Sequence, residues 1–454
     1  MNLSTFRILV VGAAAGGAST ALLLARAGAQ VTLIDRVAEF RAVGAGLSLA
    51  ANGRAVLEAL GLWPALIGDG SGARAIRGAR LIDQVGRTLM TPPDGAELAV
   101  VTRARLQEVL LDAVMAEPRI TCRFGVSLER AGPDGIVTLH DDSEEGRKHP
   151  IPAPLTMDAF DLVIGADGVH SQVRACGNFG AQVTDTGITY LRALTTGTGP
   201  GIPGVGGRSS ESASDAVEAW TPAGLFGALP TSEGHYIYGS ADAPDVREAI
   251  VQRDLEGVAR AWGLAWRPAA ALLRAVDTIE SLLVNRVLHV NCTRWHDGRL
   301  VLLGDAAHAM APNLGQGANS ALVDAAVLVD ALRHAATLEE GLIAYTVRRR
   351  EAVGRVARSS AALGWLAERR HVVARFLRDR LLWPIAARLT TSRQLNQLLQ
   401  ESPEVLRRMV TEAMQQHPNH EAGQGAPVLD ARADRAASMV RSHLAASAGR
   451  PQAR

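Results

Sequence analysis

A short apolar run, Arg7-Ile-Leu-Val-Val11, leads directly into Gly12–Gly17 (GAAAGG) and then into an alanine- and leucine-rich stretch. No other feature limits the fold of the chain as strongly. The run reads as a buried strand, Gly12–Gly17 as a turn, and Ala18–Ala27 as a helix ended by Gly28. Val31–Ile34 is the next strand, so the chain opens with a βαβ unit of the length that starts a nucleotide-binding domain. Gly12 would allow the tight turn and Gly17 close helix–sheet packing. Ala14 stands where the middle glycine of G-x-G-x-x-G lets backbone approach a pyrophosphate, so a local shift is expected there. The pyrophosphate charge would be met by N–H groups at the helix start. Asp35, 23 residues after Gly12, would accept hydrogen bonds from ribose hydroxyls. This motif alone does not separate FAD from NAD, and a glycine turn in an unrelated α/β protein is the alternative.

The same region invites a second interpretation. From Ile8 to Ala25 the chain carries no charge, between Arg7 and Arg26, as a signal peptide or membrane span would. Glycines at 12, 16 and 17, followed by Ser19 and Thr20, break that run. No other stretch reaches the roughly 20 apolar residues of a spanning helix, so no integral membrane segment is expected. The length of 454 residues suits two or three domains, and 47% hydrophobic with 20% charged residues is a globular composition. A net charge of +1 gives no global field for nucleic acid, which is not expected as a partner. Cys122, Cys176 and Cys292 are odd in number and widely spaced, and read as small buried hydrophobes in a cytoplasmic protein. His417 and His420 are too isolated for a metal site, and none is expected.

Further along, Ala51–Leu60 and Arg103–Ala116 read as helices, Arg74–Leu89 as a hairpin around Gly86, and Val137–Leu139 and Leu162–Ile164 as strands. Residues 181–280 look mostly strand-like and glycine-rich. Arg299–Leu303 is a short buried strand, Gly317–Leu332 a helix, and Leu338–Leu399 a long helical region bent at Pro384. The expected fold is α/β. A Rossmann-like domain (1–72, 98–180 and 281–345) is interrupted by a β-sheet substrate domain (73–97 and 181–280). Helices at 346–415 and a loosely held tail at 416–454 follow.

A second motif narrows the cofactor. Gly304-Asp-Ala-Ala-His308 follows a strand, and Pro312, Gly315, Gln316, Gly317 and Asn319 precede a helix. A strand-end carboxylate suits a polyol hydroxyl, and FAD has a ribityl chain where NAD has none. A glycine-rich helix start aimed at the flavin pyrimidine ring would stabilise the negative charge that develops near N1 on reduction.

The stretch Val301–Asn319 (VLLGDAAHAMAPNLGQGAN) resembles the second FAD motif of single-component aromatic hydroxylases, the para-hydroxybenzoate hydroxylase-like flavoprotein monooxygenases. Asp161–Arg174 (DLVIGADGVHSQVR) resembles their Asp-Gly motif, and Val43–Asn52 (VGAGLSLAAN) and Thr102–Leu106 (TRARL) also fit. The resemblance spans residues 7 to 360 and implies roles for single positions. Gly12, Ala14, Gly17 and Gly46 would lie along FAD, with Asp35 and Arg36 facing its adenosine. Arg103 would reach the phosphate and ribityl region. Leu128 would offer backbone near the adenine, and Asp305 would bind the ribityl chain. Pro312, Gly315, Gly317 and Asn319 would line the isoalloxazine. Asp167 would brace the loop at 305 or the flavin-side machinery. No catalytic acid–base pair stands out. The resemblance implies an NAD(P)H- and O2-dependent monooxygenase acting through a C4a-hydroperoxyflavin on a small aromatic or heteroaromatic substrate. NADH or NADPH would be a transient reductant.

Alternatives remain. An antibiotic-modifying oxygenase or epoxidase has the same fold, although the W-x-W-x-I-P motif of halogenases is absent. A flavin-binding redox protein without oxygenase activity would show the same motifs. His308 reads as structural. Trp220, Phe226, Tyr236 and Tyr238 line the substrate pocket or pack an ordinary sheet. Residues 348–393 carry twelve arginines and three acidic residues, read as a solvated helix face, with a partner or membrane-surface contact as the alternative. Leu366, Val373, Leu377, Leu381 and Leu389 fall on one stripe expected to pack on the body.

Overall fold

The computed structural model describes residues 1–40, 45–68, 73–76, 78–91, 98–141, 156–196, 216–383 and 400–415. Expectations for Val43, Leu389 and the tail after 416 fall outside these residues.

The opening strand, Arg7–Val11, lies inside a six-stranded sheet. It pairs in parallel with Gln30–Asp35 on one side and Leu162–Gly165 on the other. Ile120–Phe124 extends the sheet beyond Gln30–Asp35; Leu300–Leu302 and the antiparallel edge His296–Asp297 extend it beyond Leu162–Gly165. Ile8, Leu9 and Val10 are completely buried, as a parallel strand covered on both faces requires. The helices Ala15–Arg26 and Gly317–His334 pack together in this core, and Pro403–Gln415 joins them through Leu406, Met409 and Val410. The first helix starts at Ala15 rather than Ala18, so two glycines lie in its first turn. A Cβ on Gly17 would stand 1.8 Å from the Gly12 carbonyl oxygen, so only glycine lets the helix fold down on the turn.

The second large sheet has seven strands. Their order is Leu283–Cys292, Ala181–Thr196, Gly234–Ser240, Gly224–Pro230, Ala216–Thr221, Ala79–Asp83 and Thr88–Met90. The expected hairpin forms between the last two, turning at Gly86 with φ +85°. Arg74–Ile76 instead joins Gly46–Ala50 and Leu98–Thr102 in a small sheet. Leu283–Cys292, placed with the Rossmann-like domain on sequence, pairs along Ala181–Thr196.

The reading of 181–280 as mostly strand fails at its second half. Pro244–Val251, Leu255–Ala265 and Arg267–Arg274 are helices. Asp254 caps the second by accepting from the Gly257 N–H at 2.8 Å, and prolines open the first and third. Their apolar sides, centred on Trp262, cover one face of the seven-stranded sheet. The other face carries Tyr190, Trp220 and Leu225.

The C-terminal region also departs from expectation. The helix Leu338–Ala367 ends, and a second helical segment, Val372–Leu377, runs into a π-helical turn at Arg378–Leu382. Leu366 packs inward, but Val373, Leu377 and Leu381 are 57%, 48% and 54% exposed. Arg349 and Arg378 are buried, so the arginine-rich stretch is not simply a solvated face. Cys122 and Cys176 are half-buried and only Cys292 is fully buried; burial pushes the Cys122 and Cys292 thiols up to about 11.

Candidate active site

The parallel strands of the six-stranded sheet end together, and the loops at their carboxyl ends carry the sequence motifs. Val11 runs into Gly12, Gly165 into Asp167, Leu302 into Gly304 and Asp305, and Asp35 closes its own strand. Gly12 takes φ +101°, and a Cβ there would stand 2.5 Å from the Ala166 carbonyl oxygen, so this turn needs glycine. Asp35 is fixed by the backbone it faces: its carboxylate accepts from the N–H groups of Ala13 at 2.8 Å and Val37 at 2.9 Å. Arg36 beside it is exposed. Leu128 lies in the strand Val126–Ala131 with its side chain in the core.

This edge fits a bound FAD on several counts. The helices Ala15–Arg26 and Gly317–His334 both begin without a capping side chain, leaving their first N–H groups for an anionic ligand. The Ala14 methyl is exposed at the first of these starts. Asp305 is exposed at its strand end and makes no ion pair or hydrogen bond among the described residues. A Cβ on Gly317 would meet nothing within 4 Å, so the second helix start opens on free space. Pro312–Leu314 forms a short 3-10 turn before it, ended by Gly315 at φ +61°.

Two of the expected cofactor residues bond to protein, Asn319 through its whole amide and Asp167 through Oδ2 alone, its Oδ1 having no partner among the described residues. Asn319 is completely buried, and its amide bonds to the Ser48 and Gly315 carbonyls and the Ala50 N–H. It ties the helix start to Gly46–Ala50, and its side chain is spent on protein. Asp167 does not brace the loop at 305. Its Oδ2 accepts from the N–H groups of Gln172 and Val173, and burial holds its carboxyl above the usual range against these bonds. Arg174 does the bracing: it donates to the Ala306 carbonyl at 2.8 Å and the Val169 carbonyl at 2.7 Å. Gly46 serves the other sheet, because a Cβ there would stand 2.5 Å from the Tyr236 ring.

Behind Gly304–His308 lies a buried ion cluster. Asp324 accepts from His308 Nε2 at 2.6 Å, from the Gly304 N–H at 2.8 Å and from Arg349 Nε at 2.6 Å. Burial alone would raise the Asp324 carboxyl, but His308 and Arg349 beside it outweigh that and hold it at about 2. His308 stacks on Trp295 with ring centroids 4.9 Å apart. His308 is therefore a structural histidine, as its motif suggested. Asp324 and Arg349 were missed on sequence. Asp324 is a single carboxylate in the otherwise apolar Leu322–Val329, and that lone charge was the available signal.

The free face of the seven-stranded sheet meets the Pro312–Leu314 turn. Asn313 Nδ2 donates to the Tyr190 hydroxyl at 2.9 Å. Ala311 packs in one cluster with Tyr190, Trp220 and Leu225, and Tyr238 lies against it. Tyr236 and Tyr238 are two apart on one strand, their rings 5.7 Å apart. Arg192 and Arg103 both face the Tyr236 hydroxyl, which burial nevertheless pushes up. Arg103 is exposed and sits at the start of its helix, its N–H on the Ala45 carbonyl at 2.8 Å. Phe226 does not belong here. It sits one residue after Leu225, so its side chain passes to the opposite face and packs on Trp262 at 4.9 Å.

A residue not singled out on sequence occupies the centre of this wall. Glu218 accepts from Trp220 Nε1 at 2.6 Å and from the Tyr238 hydroxyl at 2.7 Å. Burial raises its carboxyl against the pull of these two donors. Its lone acidic place in Ala216–Thr221 was the signal. Gly227 leaves room beside it, since a Cβ there would stand 2.0 Å from the Tyr238 ring. On the far side of Trp220, Trp383 packs edge-on at 5.2 Å and the Arg378 guanidinium lies 4.9 Å above the ring.

Known proteins resemble this chain in sequence and fold. A family profile for the FAD binding domain matches residues 5–360. The chain is 30% identical over 416 residues to the 2-heptyl-3-hydroxy-4(1H)-quinolone synthase of Pseudomonas aeruginosa (strain UCBPP-PA14), covering 86% of this chain and 97% of that protein. It is 28% identical over 393 residues to the aurachin C monooxygenase/isomerase of Stigmatella aurantiaca, covering 83% and 93%. Among solved structures, a Y270A mutant of 2-methyl-3-hydroxypyridine-5-carboxylic acid oxygenase superposes with a TM-score of 0.67 at 25% identity, covering 84% of this chain and 99% of that one. The glycine turn, the free carboxylate at 305 and the open helix start at 317 thus sit in a chain that belongs to the FAD-binding-domain family of FAD-dependent aromatic monooxygenases.

Proposed function

We propose that this monooxygenase takes two electrons from NADH or NADPH and places one atom of O2 on a bicyclic heteroaromatic of the 4-quinolone class, releasing the other as water. The balance is substrate C–H plus O2, NAD(P)H and a proton, giving substrate C–OH, water and NAD(P)+. Bound FAD supplies the redox chemistry. The chain supplies position. Backbone N–H groups after Gly12, with Ala14 and Gly17, would take the pyrophosphate, and Asp35 and Arg36 the adenosine. Leu128 would lend backbone beside the adenine. Arg103 and Asp305 would hold the ribityl side, and Pro312, Gly315 and Gly317 the ring.

The observation that carries the substrate class is Glu218, held by Trp220 and Tyr238 on the wall facing the Pro312–Leu314 turn. A buried carboxylate there has lone pairs left for a ring N–H or O–H, and the aromatic side chains around it suit a flat ring. Relatives named as synthases of a 3-hydroxy-4(1H)-quinolone support the same reading.

The test is NAD(P)H oxidation and product mass with purified, FAD-loaded protein on three compounds: 2-heptyl-4(1H)-quinolone, kynurenine and 3-amino-4-hydroxybenzoate. Oxygen gain by the quinolone with tight coupling is expected. Oxygen gain by kynurenine or the benzoate alone would reassign the substrate class, and flavin reduction with no oxygenated product from any of the three would sink the proposal.

A further inference from the structure

The second helical segment after Ala367 has two unlike sides. Its inner side is fixed: Arg378 donates to Asp379 at 2.6 Å and to the Leu366 carbonyl at 3.2 Å, and Trp383 packs on Trp220. Hydrogen bonds in a π-turn run between residues five apart, which brings Arg378 and Trp383 onto the same side. Leu381 consequently stays on the outer side with the preceding turn. That outer side carries Val372, Val373, Phe376, Leu377, Leu381 and Leu382, all between 44% and 68% exposed. At the end of the preceding helix Trp365 is 58% exposed, with the Arg369 guanidinium 4.0 Å above its ring.

The charges around this patch have one sign. Arg380 is exposed, and Arg369, half-buried, lies over the Trp365 ring with its Nε on the Trp365 carbonyl. The two acids of the segment are withdrawn from it: Glu368 is tied to Ser240 and Arg370, and Asp379 to Arg378. An apolar face rimmed by arginine with its acids turned inward matches the boundary between anionic headgroups and acyl chains. No helix among the described residues is long and apolar enough to cross a membrane, so the fit is to a surface.

We infer that the Trp365–Leu382 face docks the protein on the surface of an anionic lipid bilayer, with its apolar side chains below the headgroups. The inner side of the same segment is the outer buttress of Trp220, so the docked face would back directly onto the substrate wall. The inference does not depend on the substrate class.

Co-sedimentation of the full, FAD-loaded chain with vesicles tests it. Two compositions are used, phosphatidylcholine alone and phosphatidylcholine with phosphatidylglycerol. Partition onto the anionic vesicles is expected, weakening as salt rises. Val373→Ser with Phe376→Ser should abolish it. Arg369→Gln and Arg380→Gln should each weaken it by about fivefold. The flavin spectrum reports that each variant is folded, and neither arginine belongs to a hydrophobic core. Absence of binding to either vesicle would overturn the inference. So would equal binding to both with no effect of the arginine changes, or a concentration-dependent dimer that the serine changes dissolve while vesicles bind nothing.

Discussion

The two large sheets hold their halves of the site by different means. At the edge of the six-stranded, mostly parallel sheet the work falls largely to backbone, in glycine turns and two uncapped helix starts, with strand-end carboxylates beside them. On the seven-stranded sheet, antiparallel except where Ala216–Thr221 meets Ala79–Asp83, it falls to side chains, and alternation decides which of them reach the wall beside Pro312–Leu314. Leu225 and Phe226 are neighbours in sequence and lie in different cores. The first kind of site tolerates change in side chains but not in chain geometry. The second can be rewritten one residue at a time.

Phe226→Ala and Asp324→Ala should give the largest effects. Each should lower the unfolding free energy by about 3–5 kcal/mol, the first by opening a cavity, the second by leaving Arg349 buried without its partner. Urea denaturation measures both. For Phe226→Ala the KM of the folded fraction should stay within about twofold; a large rise in KM would place Phe226 on the chamber side and break the comparison.

The Asp324 cluster also predicts a pH dependence. The folded carboxyl sits at about 2, below its unfolded value near ~3.9. Its contribution is therefore complete above about pH 4 and is lost as the pH falls towards about 2. Acid unfolding of Asp324→Asn should lose this component of its slope, read by circular dichroism.

Glu218→Gln sharpens the other half. Stability and flavin spectrum should change little, whereas KM for an N–H substrate should rise about 10- to 100-fold, the worth of a charged hydrogen bond. An N-methyl analogue should bind both proteins alike; a larger loss for the analogue in Glu218→Gln would remove Glu218 from recognition. The smallest effect belongs to Ala14→Gly, which removes the methyl at the pyrophosphate approach. FAD affinity should rise about fivefold, roughly 1 kcal/mol. Titration of apoprotein checks it.

This contrast also explains what the sequence disclosed. Gly12, Gly17, Asp35 and Asp305 were legible because backbone demands glycine and strand ends demand carboxylate at fixed spacings. The aromatic wall proposed for the substrate was only half legible. Trp220, Tyr236 and Tyr238 share its face, but Phe226 could be assigned to a side only once the strand Gly224–Pro230 was known. Asp167 and Asn319 stood within motifs, yet their side chains bond to protein, because a motif records position and not the direction of an oxygen. The three helices at 244–274 were hidden by short length and by the glycine-rich strands before them. Glu218 and Asp324 are both single acids in apolar surroundings, a weaker signal than a motif because either could have been a surface residue.

The helix Leu338–Ala367 touches both sheets along its 30 residues. Near its start Arg349 enters the Asp324 cluster behind the parallel sheet. Near its end Ser360 donates to the Ala311 carbonyl at 2.6 Å, and Gly364 lies against Asn313. Just beyond, Glu368 takes the Ser240 hydroxyl of the antiparallel sheet. It thus acts as a strut of fixed length between the turn that would carry the flavin ring and the wall that would carry the substrate. Sliding one sheet against the other would break the Ser360–Ala311 and Glu368–Ser240 hydrogen bonds, whereas exchanging side chains on the wall would leave them in place.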